Sequence, residues 1–320
     1  MAGDRRGPVL PRYRGPLSAA LTCALRDGGA LPDTAAASRA DPYGDDLQLA
    51  LYTCYELHYR GFDGVDSGWE WDPALLAVRA ALEHRFLAAL RRDLGDPGLL
   101  DDLLSGLLVD TVDGGGVSEF LEERGTLDHL REYVKQRSLY HLKEADPHAW
   151  VLPRLSGRAK AGMAAVEYDE FGGGRAERVH ARLFADLMAD LGLETYYGHY
   201  VDVGCAEMLA LVNAMSLFGL HRRLRGALVG HFAAVEITSS PASRRLAHAM
   251  ERTGAGPAAE FFYSEHVEAD AVHEQVVRRD VIGGLLDEEP ELEPDIAFGI
   301  AVTSHLEDRL GSRLLTAWGA

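Results

Sequence analysis

Three observations make this 320-residue chain all-α. Apolar residues recur with helical spacing over most of its length. The links between the periodic stretches are short and carry Pro or Gly. No strand-rich region competes with them. Residues 1–45, rich in Pro, Gly, Ala and Arg, read as a flexible arm with one short helix at about 17–26. From Asp46 the spacing of Leu47, Leu51, Tyr55 and Tyr59 is helical, and Gly61–Gly68 breaks it. Asp72 is an N-cap and Pro73 a first-turn residue for a long amphipathic helix ending near Leu94. A shorter helix covers about 97–108. The run Asp113-Gly-Gly-Gly116 lacks the residues of a phosphate loop and reads as a linker. Helical segments then follow at about 118–146, 154–170, 175–192, 204–222, 224–253, 257–287 and 292–317. Links this short favour antiparallel neighbours. The expected organisation is therefore an arm over 1–45, a helical extension over 46–122 and a bundle of about seven helices over 123–320.

Composition narrows the function. A formal net charge of −18 opposes binding to nucleic acid or to an anionic membrane, which need basic surfaces. No stretch is long and apolar enough to span a bilayer. Arg5, Arg6, Arg12 and Arg14 precede the apolar run Leu17–Leu25, but that run is too short for a signal peptide and no cleavage site follows closely. Cys23, Cys54 and Cys205 are far apart, which suggests a reducing, cytoplasmic setting rather than a disulfide frame.

The sequence His266-Val-Glu-Ala-Asp270-Ala-Val-His273 carries the most chemistry. Its i, i+4, i+7 spacing places two imidazoles and a carboxylate on one helix face. Iron, manganese and zinc all accept such donors. Phe262, Tyr263, Val277 and Val281 lie beside that face, so the donors are at least half buried, and buried polar groups need partners. A solvated accidental pattern is the competing reading in a chain with 13 His and 50 acidic residues. Other segments supply further donors. Glu177-Arg-Val-His180 places a carboxylate and an imidazole one turn apart if the helix is continuous. Glu144 lies late in a helical segment, and Glu236 interrupts the apolar stretch Phe232-Ala-Ala-Val-Glu236-Ile. Glu144, Glu177, Glu236 and Asp270 together would neutralise two ferrous ions, with the imidazoles completing the set.

The order Glu144 … Glu177-x-x-His180 … Glu236 … His266-x-x-x-Asp270-x-x-His273 resembles the haem-oxygenase-like diiron oxidases and oxygenases, a family of iron-containing redox enzymes. Tyr140-His-Leu-Lys-Glu144-Ala-Asp-Pro-His148 and Asp169-Glu-Phe-Gly-Gly-Gly-Arg-Ala-Glu177-Arg-Val-His180 are similar to family sequence as well. The resemblance spans roughly residues 125–320. It implies a haem-oxygenase-like bundle and two iron ions, cycling between Fe2+ and Fe3+, with O2 as cosubstrate. It also implies metal ligands at Glu144, Glu177, His180, Glu236, His266, Asp270 and His273. Glu170, seven residues before Glu177, matches an extra carboxylate of the N-oxygenating members and is the expected catalytic residue. The implied chemistry is oxidation of a small molecule, with N-oxygenation of an amine or amino-acid-like substrate favoured over C–C cleavage or desaturation.

Tyr140, Tyr263 and Arg137 are candidates to support the ligands, and Arg175, Arg178, Arg244 and Arg245 to anchor an anionic substrate. The electron donor is unknown, and the 46–112 segment leaves a homodimer open. Two other classes compete. One is an iron-binding protein of the ferritin type, which would show a second ExxH pair. The other is a metal-free hydrolase, which would need Cys205 as nucleophile.

Overall fold

The structure is a computed structural model that describes residues 7–109 and 116–320, without the side chains of residues 268, 270 and 271. It is all-α among the described residues. Five helices precede the glycine run: α1 (Pro16–Asp27), α2 (Thr34–Arg39), α3 (Asp45–Glu56), α4 (Pro73–Leu94) and α5 (Leu100–Leu107). Ten follow it: α6 (Val117–Arg124), α7 (Leu127–His141), α8 (Asp146–Ala149), α9 (Gly157–Glu170), α10 (His180–Asp190), α11 (Ala206–Leu220), α12 (Arg225–Thr253), α13 (Pro257–Val276), α14 (Gly283–Glu288) and α15 (Glu293–Trp318).

The capping chemistry expected of α4 is present. The Asp72 carboxylate accepts from the backbone N–H groups of Ala74 and Leu75, both at 2.9 Å, with Pro73 in the first turn. Helix α11 is apolar on all sides and correspondingly buried from Met208 to Gly219. Helix α12 runs along α13 on one side and α15 on another. The α12–α15 contact is backbone to backbone: a Cβ on Gly230 would collide with the Ile296 carbonyl, and one on Gly299 with that of Ala227. This close approach holds Glu236, two turns further along α12, in a fixed position in the interior.

The expected flexible arm is corrected. Leu17, Leu21 and Leu25 of α1 and Ala37 of α2 are buried in the same hydrophobic cluster as Leu306 and Leu314 of α15. The segment is also tied by polar contacts: Arg12 pairs with Asp202 at 2.8 Å and Arg14 donates to the Val201 carbonyl at 2.7 Å. The short helix expected at about 17–26 is α1, and the Pro- and Gly-rich composition hid α2 and the packing of both on the core. Extension and bundle share one core, and Lys143 of the bundle pairs with Glu56 of α3 at 3.0 Å, both fully buried. The proposed linker lies outside the described residues except for Gly116, which precedes α6.

Three expected continuous helices are interrupted, and each interruption shapes the site. The 118–146 segment breaks at Gly125 between α6 and α7, then stops at His141 and turns through 142–145, where Ala145 adopts φ 72°. The 175–192 segment begins as a 3₁₀ turn (Ala176–Arg178), and α10 starts only at His180. After Val276 the chain continues through a π-helical turn, Val277–Ile282. No helix among the described residues is long and apolar enough to cross a membrane.

Candidate metal centre

Helix α9 ends at Glu170 because Gly172, Gly173 and Gly174 follow in left-handed conformations, φ 75°, 61° and 80°. The chain folds back so closely that a Cβ on Gly172 would stand 2.6 Å from the backbone of Arg178 and Val179. This reversal sets the first residue of α10 against the last residue of α9, and His180 Nδ1 lies 2.7 Å from Glu170 Oε2. It also disposes of the expected Glu177–His180 relation. Glu177 sits on the exposed 3₁₀ turn, and Val179 is not helical (ψ 127°), so the two side chains do not share a helix face. The structure places Glu177 apart from the other donors and brings Glu170 among them.

The remaining donors converge from three elements. Glu144 comes from the turn after α7, Glu236 from the middle of α12, and His266 and His273 from α13; all are buried. The side chain of Asp270 lies outside the described residues. Two groups form. Glu144, Glu170, His180 and His266 can each bring a ligand atom within 4.8 Å of the others, and so can Glu170, Glu236 and His273. Glu170 belongs to both. In the first group, His266 Nε2 is 3.8 Å from Glu144 Oε1, and the His180 and His266 rings are 4.5 Å apart. In the second, His273 Nδ1 is 3.1 Å from Glu236 Oε2 and 3.6 Å from Glu170 Oε1.

Neighbouring groups set proton positions. A backbone carbonyl only accepts, so the 2.7 Å contact of His266 Nδ1 with Phe262 O makes Nδ1 the donor. Nε2 is then the ring nitrogen that faces Glu144 and could turn to a metal. His141 Nδ1 lies 2.7 Å from Glu144 Oε1. Burial pushes the Glu144 carboxyl up, but the charges and hydrogen bonds of His141 and His266 outweigh it and hold it well below the usual carboxylate range. For His180 burial opposes protonation, and the hydrogen bond and charge of Glu170 overcome it, raising the imidazole.

The donor set fits iron. Carboxylates and imidazoles at the ends and faces of buried helices are the ligands such an ion takes in a bundle. Glu144 Oε2 is buried without a hydrogen-bond partner, as a residue arranged for a cation would be.

A family described as iron-containing redox enzymes matches residues 131–308. The chain belongs to that family. No curated protein matches it. The match starts in α7 and ends in α15, within the roughly 125–320 of the resemblance, so it covers every donor named above and leaves the first six helices outside.

A cavity of about 290 Å³ opens beside the donors. Glu144, Glu170, Glu236 and His266 line one wall. Arg137, Tyr140, Tyr263, His148, Thr303 and Glu307 line the rest. Arg137 binds Glu307 through two parallel contacts of 2.7 Å, and its Nε donates to Tyr133 Oη at 3.1 Å. It is therefore the cavity's own cation. Of the arginines expected to serve as anchors, Arg178 is instead paired on the surface with Glu265 at 2.5 Å, and Arg175 and Arg244 are exposed. Tyr140 and Tyr263 do sit at the site. Burial raises both phenols well above their ordinary value; the charges of Glu144, Glu170 and Glu236 add to the effect at Tyr140, while at Tyr263 the further rise comes from Tyr133.

Sequence reasoning missed His141, His148 and Glu167. His141 lies three residues before Glu144, and Glu167 three before Glu170, spacings that share a helix face. Burial, and then the charges of Glu170, Glu236 and Asp146, push the Glu167 carboxyl up to about 9. Cys205 precedes α11, but burial pushes its thiol up to about 11, which removes the activation a nucleophile needs.

Proposed function

We propose that this chain is an O2-activating non-haem diiron oxidase or oxygenase of a small molecule, with an amine or amino-acid-like compound as the favoured substrate. The observation that carries this reading is Glu170, whose carboxylate is common to both donor groups. A shared carboxylate between two sets of donors suits a pair of adjacent cations. Glu144, Glu170, His180 and His266 would hold one iron, and Glu170, Glu236 and His273 the other. Iron bound there supplies electrons for O2 reduction and open positions for O2.

The chain's own residues do the rest. Phe262 fixes the His266 tautomer and His141 orients Glu144. Apolar side chains such as Met215, Leu246 and Phe262 keep bulk water out of the cavity. The Tyr140 and Tyr263 phenols stay protonated and can donate to a substrate or to an oxygen atom. Arg137 and Glu307 offer a cation and an anion side by side, which suits a molecule with a carboxylate and an amino group. Glu170 combines a ligand's position with a place on the cavity wall, so it faces a substrate bound there.

Anaerobic reconstitution with ferrous iron is the test. About two irons per chain are expected, with O2 consumption accelerated by an amine-bearing carboxylate. No specific uptake of iron, together with an unchanged melting temperature, would sink the reading.

A further inference from the structure

Among the described residues, Glu167 is the one buried carboxylate near the centre that neither donor group contains. It lies one helical turn before Glu170 on α9, on the face that also buries Met163 and Val166. Its residue is 2% exposed, and neither Oε1 nor Oε2 has a hydrogen-bond partner. A buried carboxyl group without a partner is expensive, and native proteins seldom tolerate one. Among the described residues no cation offsets it. The charges acting on Glu167 are those of Glu170, Glu236 and Asp146, all negative. The nearby buried ammonium of Lys143 is committed to Glu56.

Two of those three acids, Glu170 and Glu236, belong to the second donor group formed by the described residues. A cation in that group would supply the missing partner and cancel the repulsion. We propose that Glu167 is a further metal ligand, which joins Glu170, Glu236 and His273 in holding the second cation. This rests on the two-metal reading above and extends it. Glu167 and Glu170, three residues apart on one helix, then act as a pair: Glu170 spans both cations, and Glu167 serves the second alone.

The test is an anaerobic equilibrium titration with ferrous iron against a competing chelator. It compares the wild type, Glu167→Gln and Glu167→Asp, and follows the melting temperature of the metal-free proteins in parallel. Wild type binds two ions. Glu167→Gln keeps the first affinity and weakens the second by about ten- to a hundredfold, the range in which supporting groups of metal sites act. Glu167→Asp, one methylene shorter, also loses second-ion affinity while retaining the acid. Metal-free Glu167→Gln melts at or above the wild-type temperature, because it removes an unpaired buried acid.

Second-ion affinity equal to wild type in Glu167→Gln overturns the proposal and leaves the two-metal reading standing. Loss of the metal-free fold in both variants makes Glu167 a structural acid and also overturns it. A wild-type chain that takes up fewer than two ions overturns the two-metal reading itself, and this proposal with it.

Discussion

Glu170 and Glu177 are seven residues apart, and a continuous helix would stack them on one face. The glycine reversal sends one into the interior and the other into solvent. That difference can be measured. Glu170→Gln should lower the iron content of the reconstituted protein by at least half. Glu177→Gln should leave it at the wild-type value, since an exposed carboxylate on a 3₁₀ turn contributes little. A loss in Glu177→Gln as large as in Glu170→Gln would mean that the turn rearranges when metal binds. His273→Ala removes the sole imidazole of the second group and should bring bound iron from about two per chain toward one, with the helical circular-dichroism signal retained. Global unfolding instead would make His273 a structural histidine. His266, His273 and Glu236 were readable because each stands among apolar residues whose periodicity fixes the buried face. Glu177 was misplaced because its spacing to His180 has meaning only on a helix, and the glycines that abolish that helix lie upstream.

At the scale of elements, the end of α9 and the start of α10 form one device. Gly172 needs a left-handed φ and has no room for a side chain against Arg178 and Val179. Gly172→Ala should therefore cost about 1–3 kcal/mol of stability. It should also separate His180 from Glu170, so iron affinity falls while overall helix content changes little. An unchanged affinity would show that the two donors are held in register by other contacts. The helix boundaries were legible to within a few residues at Asp72-Pro73, Gly254 and Pro257, but the break at Gly125 between α6 and α7 was read through. They were not legible inside 118–146, where the chain leaves α7 after His141 with no glycine to announce it. The turn there, through Ala145 at φ 72°, is held by His141 nearby and by Glu56 and His266, which are distant in sequence.

At the scale of the molecule, a cluster of acids inside one core makes metal-free stability depend on pH. The Glu167 carboxyl is raised to about 9 in the folded chain and has an ordinary value when unfolded. Between those values the folded state holds a proton that the unfolded state has lost, so stability falls as pH rises. Metal-free protein should lose melting temperature from about pH 5 to pH 9, by up to about 1 kcal/mol per pH unit from this group. Glu167→Gln should flatten that profile. An identical slope in the variant would assign the effect to other groups. The same scale explains why residues 7–40 read as a loose arm and are not one. Leu21 and Leu25 lie in a short, ordinary-looking apolar run, and only the faces of α3 and its neighbours show that there is a core for them to enter.

The sequence by itself determined the helical class, the order of the main helices and the residues most able to bind a transition metal. Those properties follow from local periodicity, capping chemistry and donor type, which any chain carries in its spacing. Tertiary structure alone decided which donors meet. It chose Glu170 over Glu177, brought His141 to the site, and made Arg137 with Glu307 the charged wall of the cavity. The reason is physical: a pair of donors on different helices is set by close backbone approach and by a glycine reversal, and neither leaves a periodic trace in the sequence.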